Sequence, residues 1–205
     1  MPLPADEADA RAAQQPVIPV EAWADTQEIN DLVMSPNGNR IAMLQRQSRG
    51  DFHRLVVFNT DDIQGSMEIV NFDEEARPYF LSWEGNDRLI VTVIIERVRA
   101  GDPITVWRIL ALDPNDTSEV VDLLESSSNA RNELDDAAAT LYGGYVADSL
   151  PYDDNHVIMA LRTDVFGIAD YYKVNVETGA RQRVLRGNDR YGGFAFDWDG
   201  EVRMA

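Results

Sequence analysis

A combination of tight polar turn and apolar strand recurs along this chain, and it restricts the fold more than any other feature. Three complete copies lie at 34–44, 82–91 and 150–161, and a fourth copy begins at 197 and runs to 204. Each turn is rich in Asn, Asp and Gly, which tolerate the backbone angles needed to join neighbouring antiparallel strands. The sequence therefore predicts a series of similar β-hairpins.

A second polar turn follows in each complete copy, after a further strand. These turns are Phe58–Asp62, Leu112–Asp116 and Val176–Gly179, and closing strands are predicted at 67–70, 119–124 and 181–185. Each copy thus contains four short strands, and the copies repeat about every 40–50 residues, which is typical of the blades of a β-propeller.

The predicted fold class is all-β, a partial β-propeller of about three four-stranded antiparallel blades plus the start of a fourth. The blades are predicted at about 29–72, 77–124, 142–186 and 191–205, within a propeller region of 21–205. Residues 1–20 are rich in Ala, Pro, Gln and Asp and are predicted to be a disordered leader. Segments 97–103 and 163–169 should lengthen two hairpins, and short helical turns are expected near 20–26 and 132–140.

Apolar residues at alternating strand positions are predicted to form the core. They are Val33, Ile41, Met43, Val56, Phe58, Leu89, Val91, Ile109, Leu112, Val157, Met159, Tyr172 and Val174.

The charge balance restricts the partners of the chain. It carries 36 acidic and 18 basic residues, for a formal net charge of −18. Such a surface repels phosphate backbones, so we expect no nucleic-acid partner. No apolar run is long enough for a membrane span, and the start lacks the basic and apolar regions of a signal peptide. The predicted leader at 1–20 is of a kind that can remain after signal cleavage or mark a fragment boundary. A periplasmic or secreted location is therefore slightly favoured over a cytoplasmic one.

No catalytic residue can be assigned from the sequence. The chain has no cysteine, no Gly-x-Ser-x-Gly nucleophile elbow and only two histidines, His53 and His156. Both histidines open predicted strands, where solvated strand-end residues are expected rather than a base or a zinc ligand. The prediction is therefore that this chain alone is not an enzyme and has no catalytic, cofactor-binding or metal-binding residues.

Other conspicuous groups are interpreted as structural. Carboxylate clusters at 61–62, 73–75, 135–136 and 153–154 lack the spacing of a calcium loop and are interpreted as turn formers. The glycine pairs 143–144 and 192–193 lack the strand-to-helix context of a phosphate loop. Trp83 and Trp198 occupy the same place in their copies, and we expect both to pack between blades.

Four segments carry a family resemblance. Ser35-Pro36-Asn37-Gly38, with Ile41-Ala42 after it, resembles the Ser-Pro-Asp-Gly motif of propellers in the TolB protein and in prolyl-oligopeptidase-type serine peptidases. Three further segments are similar to blade segments of the peptidases. They are Trp83-Glu84-Gly85-Asn86-Asp87-Arg88-Leu89, Leu150-Pro151-Tyr152-Asp153-Asp154-Asn155-His156-Val157 and Tyr172-Lys173-Val174-Asn175-Val176-Glu177-Thr178-Gly179.

The resemblance implies an amino-terminal propeller fragment that limits substrate access in a prolyl-oligopeptidase-like serine peptidase. The partners it implies are an α/β-hydrolase catalytic domain, absent from this chain, and the peptide substrates of the parent protein. Self-association through the exposed edge of an incomplete blade is also expected. The alternative is a stand-alone TolB-like propeller module that binds another protein.

Overall fold

A computed structural model describes residues 28–48, 51–72, 75–99, 101–124, 143–162, 168–191 and 193–204. These residues form fourteen strands and no helix. The first eight strands are β1 (Ile29–Met34), β2 (Arg40–Gln45), β3 (Arg54–Asn59), β4 (Glu68–Val70), β5 (Ala76–Glu84), β6 (Arg88–Arg99), β7 (Asp102–Asp113) and β8 (Asp116–Asp122). They are followed by β9 (Gly144–Ser149), β10 (His156–Arg162), β11 (Ala169–Asn175), β12 (Arg181–Leu185), β13 (Ala195–Phe196) and β14 (Val202–Met204).

The strands form three four-stranded sheets and the start of a fourth. Each four-stranded sheet joins consecutive strands in chain order, β1–β4, β5–β8 and β9–β12, and every pairing is antiparallel. Strands β13 and β14 form a two-stranded sheet. We call these four sheets blades 1 to 4. The predicted fold class, an all-β partial β-propeller, is confirmed.

The turn residues adopt the conformations that the sequence requires of them. Gly38 in the first turn and Gly85 in the second have φ angles of 75° and 55°, in the left-handed region where a side chain is disfavoured. The predicted lengthening of the blade 2 hairpin is confirmed, since β6 and β7 pair as far as Arg99 and Asp102. The predicted helical turns at 20–26 and 132–140 lie outside the described residues, as does most of segment 163–169.

Successive blades pack face to face. One core cluster joins blades 1 and 2 through residues that include Leu44, Leu55 and Leu89. A second cluster joins blades 2 and 3 through residues that include Ile109, Val157 and Met159. The central strands are therefore apolar at consecutive positions, as in sheets covered on both faces.

Four of the expected core residues of blade 1 lie on the face of the sheet that does not meet blade 2. Ala42, Leu44, Leu55 and Val57 form the contact, whereas the predicted Ile41, Met43, Val56 and Phe58 point to the opposite face. Because successive side chains of a strand alternate between faces and both faces are apolar here, the period alone could not select one. Val56 and Phe58 are nevertheless buried, as predicted, and Ile41 and Met43 are partly buried. The other predicted core positions are buried, except for the partly buried Val33 and Tyr172.

The opposite face of blade 1 is apolar and partly open to solvent, although Val56 and Phe58 on this face are buried. Leu32, Met34 and Ile69 are 51%, 56% and 43% exposed. In the sheet register Leu32 pairs with Met43, and Met34 pairs with Ile41, so the exposed side chains extend the row of half-buried ones. We call this surface the outer face of blade 1.

Hydrogen bonds also join blade 1 to blade 2. The Leu81 N–H donates to Asp31 Oδ2 at 2.8 Å, and the Asn37 N–H donates to Asn86 Oδ1 at 2.9 Å. The Trp83 ring Nε1–H donates to the Val33 carbonyl at 3.3 Å.

Within the described ranges, no helix has the length and apolar character needed to cross a membrane.

Candidate functional site: a cleft between blades 2 and 3

A cavity with a volume of about 560 Å³ lies between blades 2 and 3. Blade 2 contributes Phe80 from β5 and Trp107 from β7, and blade 3 contributes Tyr145 from β9 and Arg162 from the end of β10. The remaining lining residues are Leu81, Ser82, Ile90, Thr92, Gly143, Gly144 and Val146. This volume and this mixture of aromatic walls with few polar groups are typical of small-ligand sites.

Two glycines, Gly143 and Gly144, line the cleft where β9 begins. Gly143 has a φ of 78°, and a Cβ atom placed on it would lie 3.8 Å from Trp107 Cδ1. A Cβ on Gly144 would lie 2.7 Å from Leu161 Cδ2 and 2.9 Å from the Ala160 carbonyl oxygen, closer than real Cβ contacts. The absence of a side chain at Gly144 thus lets the start of β9 pack closely against β10. The sequence interpretation of this pair as a backbone device is consistent with that arrangement.

Arg162 supplies the cationic group of the cleft. Its backbone N–H donates to the Gly143 carbonyl at 3.2 Å, and its side chain is exposed. No ion pair joins its guanidinium to any residue that the structure describes. Six other described arginines each pair with a carboxylate: Arg40, Arg77, Arg88, Arg108, Arg183 and Arg203.

A second cavity, of about 230 Å³, lies on the other side of Tyr145 and Arg162. It is bounded by Tyr171 of β11 and by Tyr191 and Phe194, which lead into blade 4. The Tyr171 ring packs against the Phe194 ring with centroids 5.1 Å apart. Burial, helped by a hydrogen bond with Tyr145, raises the pKa of Tyr171 to about 12, so its hydroxyl stays protonated. Tyr145 and Arg162 line both cavities, and we call the two cavities together the aromatic groove.

Glu84 lies at the opposite end of the interface between blades 2 and 3. The residue is only 2% exposed, and its Oε2 atom is buried without a hydrogen-bond partner. Burial, together with repulsion from Asp154, Asp153 and Asp148, raises the pKa of Glu84 to about 8. The folded chain therefore favours the protonated carboxyl near neutral pH.

His156 is more constrained than expected for a solvated strand end. Its Nδ1 atom lies 2.8 Å from Asp153 Oδ1, and Lys173 Nζ lies 2.7 Å from Asp153 Oδ2. Burial opposes the charge on Asp153, but the hydrogen bonds from Lys173 and His156 outweigh it and lower the Asp153 pKa. His156 and Lys173 thus anchor a turn of blade 3.

The other histidine, His53, lies just before β3 and borders a smaller cavity with Phe52 and Phe72.

Trp83 and Trp198, which were both expected to pack between blades, differ in their surroundings. Trp83 is buried between blades 1 and 2, as expected. Trp198 instead lies in the turn after β13, is 63% exposed, and meets the Tyr152 ring edge-on at 5.1 Å. Among the described residues, no three His, Cys, Asp or Glu side chains are grouped so that they could hold a metal ion.

Sequence reasoning missed the cleft, because its walls come from the ends of strands that are far apart in the chain. Phe80, Trp107, Tyr145 and Arg162 belong to no motif. The pair Gly143-Gly144 was the one local signal, and glycine pairs are common in turns.

Comparisons with known proteins give likenesses to solved structures alone. No protein-family model matches the chain, and no curated protein does. A conserved lipoprotein of Clostridium novyi NT matches with a TM-score of 0.37 and 9% identity, over 78% of this chain and 88% of the lipoprotein.

Two further solved structures come from peptidases. The β-propeller domain of the Trilobed protease from Pyrococcus furiosus has a TM-score of 0.37 and 11% identity, over 87% of this chain and 71% of that domain. A puromycin-hydrolyzing peptidase of Mycobacterium tuberculosis has a TM-score of 0.29 and 14% identity, over 86% of this chain. This chain covers 34% of that peptidase. At such identities these likenesses concern the fold alone.

Proposed function

We propose that this chain is a non-catalytic propeller module that controls substrate access in a prolyl-oligopeptidase-like serine peptidase. The catalytic α/β-hydrolase domain would belong to the same parent protein, and its peptide substrates would pass the propeller. The ordered series of blade motifs, from Ser35-Pro36-Asn37-Gly38 to the Tyr172–Gly179 segment, supports this proposal.

The outer face of blade 1 is the structural observation that carries the proposal. Leu32 and Met34 on β1 and Ile69 on β4 are exposed apolar side chains at the two edges of this face, whereas the other face of the same sheet is buried against blade 2. Exposed apolar patches of this kind mark interaction surfaces. In a ring of blades, each sheet face meets a neighbour, so this face would accept a further blade of the parent protein.

The size of the natural protein tests this proposal. An antiserum raised against this chain of 23.0 kDa should detect, in the cells of origin, a much larger polypeptide. That polypeptide should be labelled by a fluorophosphonate probe for active-site serines, while the isolated chain should not be. A natural protein of the same mass as this chain, or stoichiometric labelling of the isolated chain, would contradict the proposal.

The cleft between blades 2 and 3 favours a second candidate, a stand-alone propeller module that binds another protein. The cleft already brings aromatic side chains of two blades together with the Arg162 guanidinium. A natural protein of the same mass as this chain that is recovered in a stable complex would support this candidate.

A further inference from the structure

We propose that the aromatic groove binds the carboxyl-terminal end of a peptide. The side chain of an apolar or aromatic last residue would occupy the cleft of about 560 Å³ between blades 2 and 3. Its terminal carboxylate would bind the Arg162 guanidinium. This proposal depends on the described residues of blades 2 to 4 and not on the proposed peptidase context.

The first step of the argument is the charge of Arg162. The protein has a net charge of −18, and several of its arginines are already paired with carboxylates. The Arg162 side chain is exposed beside aromatic walls and has no ion pair among the described residues. A guanidinium in this setting matches a carboxylate, which it can bind through two parallel hydrogen bonds. The acidic surface disfavours polyanions, so a ligand with a single carboxylate fits better than a nucleic acid.

The second step is the shape of the cleft. Phe80, Trp107 and Tyr145 present aromatic surfaces from both blades, and Thr92 and Ser82 are its small hydroxyl groups. Phe80 and Tyr145 are 57% and 49% exposed, and they face one cavity from two blades, so an apolar ligand can contact both rings. An apolar side chain entering here would remove these surfaces from water.

The third step distinguishes a peptide from a small aromatic acid. Tyr145 and Arg162 border both cavities, so a ligand whose carboxylate binds Arg162 also reaches the second cavity of about 230 Å³. That cavity is lined by the rings of Tyr171, Tyr191 and Phe194 and also by Asn188 and Asp189. A peptide end can place its last side chain in one cavity and a preceding apolar side chain in the other.

The walls of the groove are held in place before any ligand binds. The second core cluster, which includes Ile90, Leu124 and Leu161, fixes blade 2 against blade 3. The contact between Tyr171 and Phe194 fixes the far wall. A site of this kind loses little conformational freedom on binding.

The test is calorimetric titration of the chain with the N-acetylated tetrapeptide Gly-Ala-Leu-Phe as free acid and as carboxamide. We expect the acid to bind at least about tenfold more tightly than the carboxamide, because the carboxamide cannot form the charge-assisted pair. Arg162→Gln should weaken binding of the acid to the level of the carboxamide, and Arg162→Lys should give an intermediate affinity. The matched control Arg97→Gln changes an arginine of the β6–β7 hairpin that lines neither cavity, and it should leave both affinities unchanged.

Four results would overturn the proposal. They are equal binding of acid and carboxamide, no heat at about 1 mM peptide, full retention of affinity in Arg162→Gln, and displacement of the peptide by an equal concentration of inorganic phosphate. Phe80→Ala provides a second measurement that is independent of charge. This substitution should weaken the binding of both peptides by a similar factor and leave the preference for the acid intact. A loss of that preference would contradict the roles assigned to Phe80 and Arg162. A failure here leaves the proposed peptidase context standing, because that proposal is tested by the size and labelling of the natural protein.

Discussion

Replacing Glu84 by glutamine should stabilise the chain at alkaline pH and leave its stability in acid nearly unchanged. The Glu84 carboxyl is buried between blades 2 and 3, its Oε2 atom lacks a hydrogen-bond partner, and Asp154, Asp153 and Asp148 repel its charge. The Glu84→Gln substitution keeps the size and shape of the side chain and removes the ionisation.

The pKa of Glu84 sets the size and sign of the effect. Its value rises from 4.5 to about 8 on folding. Below the lower of these two values the carboxyl is protonated in both the folded and the unfolded chain, so its ionisation costs nothing. As the pH rises through the interval between them, the unfolded chain loses this proton more readily than the folded chain, and the free energy of unfolding falls. Above the folded-state pKa the loss is complete and constant.

The full shift corresponds to about 5 kcal/mol, at about 1.36 kcal/mol per pKa unit. Burial is the largest cause of the shift, and the folded chain can relax and admit water around an ionised carboxylate, so we expect part of this value, about 2 kcal/mol. For a chain of this length, that difference corresponds to an increase of about 4–8 °C in melting temperature at about pH 9.

Thermal unfolding followed by circular dichroism between about pH 4 and pH 9 measures the difference between variant and wild type. The control is Glu119→Gln, which changes an exposed carboxylate on β8 and should leave the melting temperature unchanged at every pH. The reasoning is refuted if the difference between Glu84→Gln and wild type is constant with pH, or if the variant is the less stable protein at the alkaline end.

Three further predictions follow from the packing of the blades. Trp83→Ala should destabilise the chain by about 3–5 kcal/mol in urea unfolding, because a buried aromatic ring joins blades 1 and 2; a loss below about 1 kcal/mol would contradict that role. Met34→Lys should reduce concentration-dependent self-association in sedimentation velocity, because it puts a charge on the outer face of blade 1, and unchanged association would place the contact elsewhere. Amide hydrogens of β14 should exchange faster than those of β6 in a monomeric sample, because β14 pairs on one side with a two-residue strand; equal protection would contradict this.

The turns and strands of this fold could be predicted from the sequence because their signals are local. The turn at Gly38 needs a positive φ, and the alternation of turn residues with apolar runs gives the strands and their antiparallel order. The long hairpin of blade 2 was predictable for the same reason, since Gly101 and Asp102 interrupt two β-favouring runs.

The packing faces and the cleft could not be predicted, because they depend on which blade meets which surface. In blade 1, Ile41 and Met43 are as apolar as Ala42 and Leu44, so the sequence cannot tell the inner face from the outer one. Glu84 sits beside a turn and would be expected in water, but blade 3 covers it. Arg162 gains significance only through aromatic residues of another blade.

The most direct test of the blade arrangement is cross-linking of cysteine pairs with a short bismaleimide, which is straightforward because the chain has no cysteine of its own. The pair Asn37→Cys with Asn86→Cys joins the turns of blades 1 and 2, where the Asn37 backbone nitrogen and the Asn86 side-chain oxygen are 2.9 Å apart. The pair Arg88→Cys with Glu177→Cys joins blades 2 and 3, where Arg88 Nη2 and Glu177 Oε1 are 3.6 Å apart. Face-to-face packing of consecutive blades predicts that the reagent joins each pair within one chain, while Asn37→Cys with Glu177→Cys is not cross-linked. Cross-linking of that last pair, or failure of both neighbouring pairs in the folded chain, would contradict the arrangement.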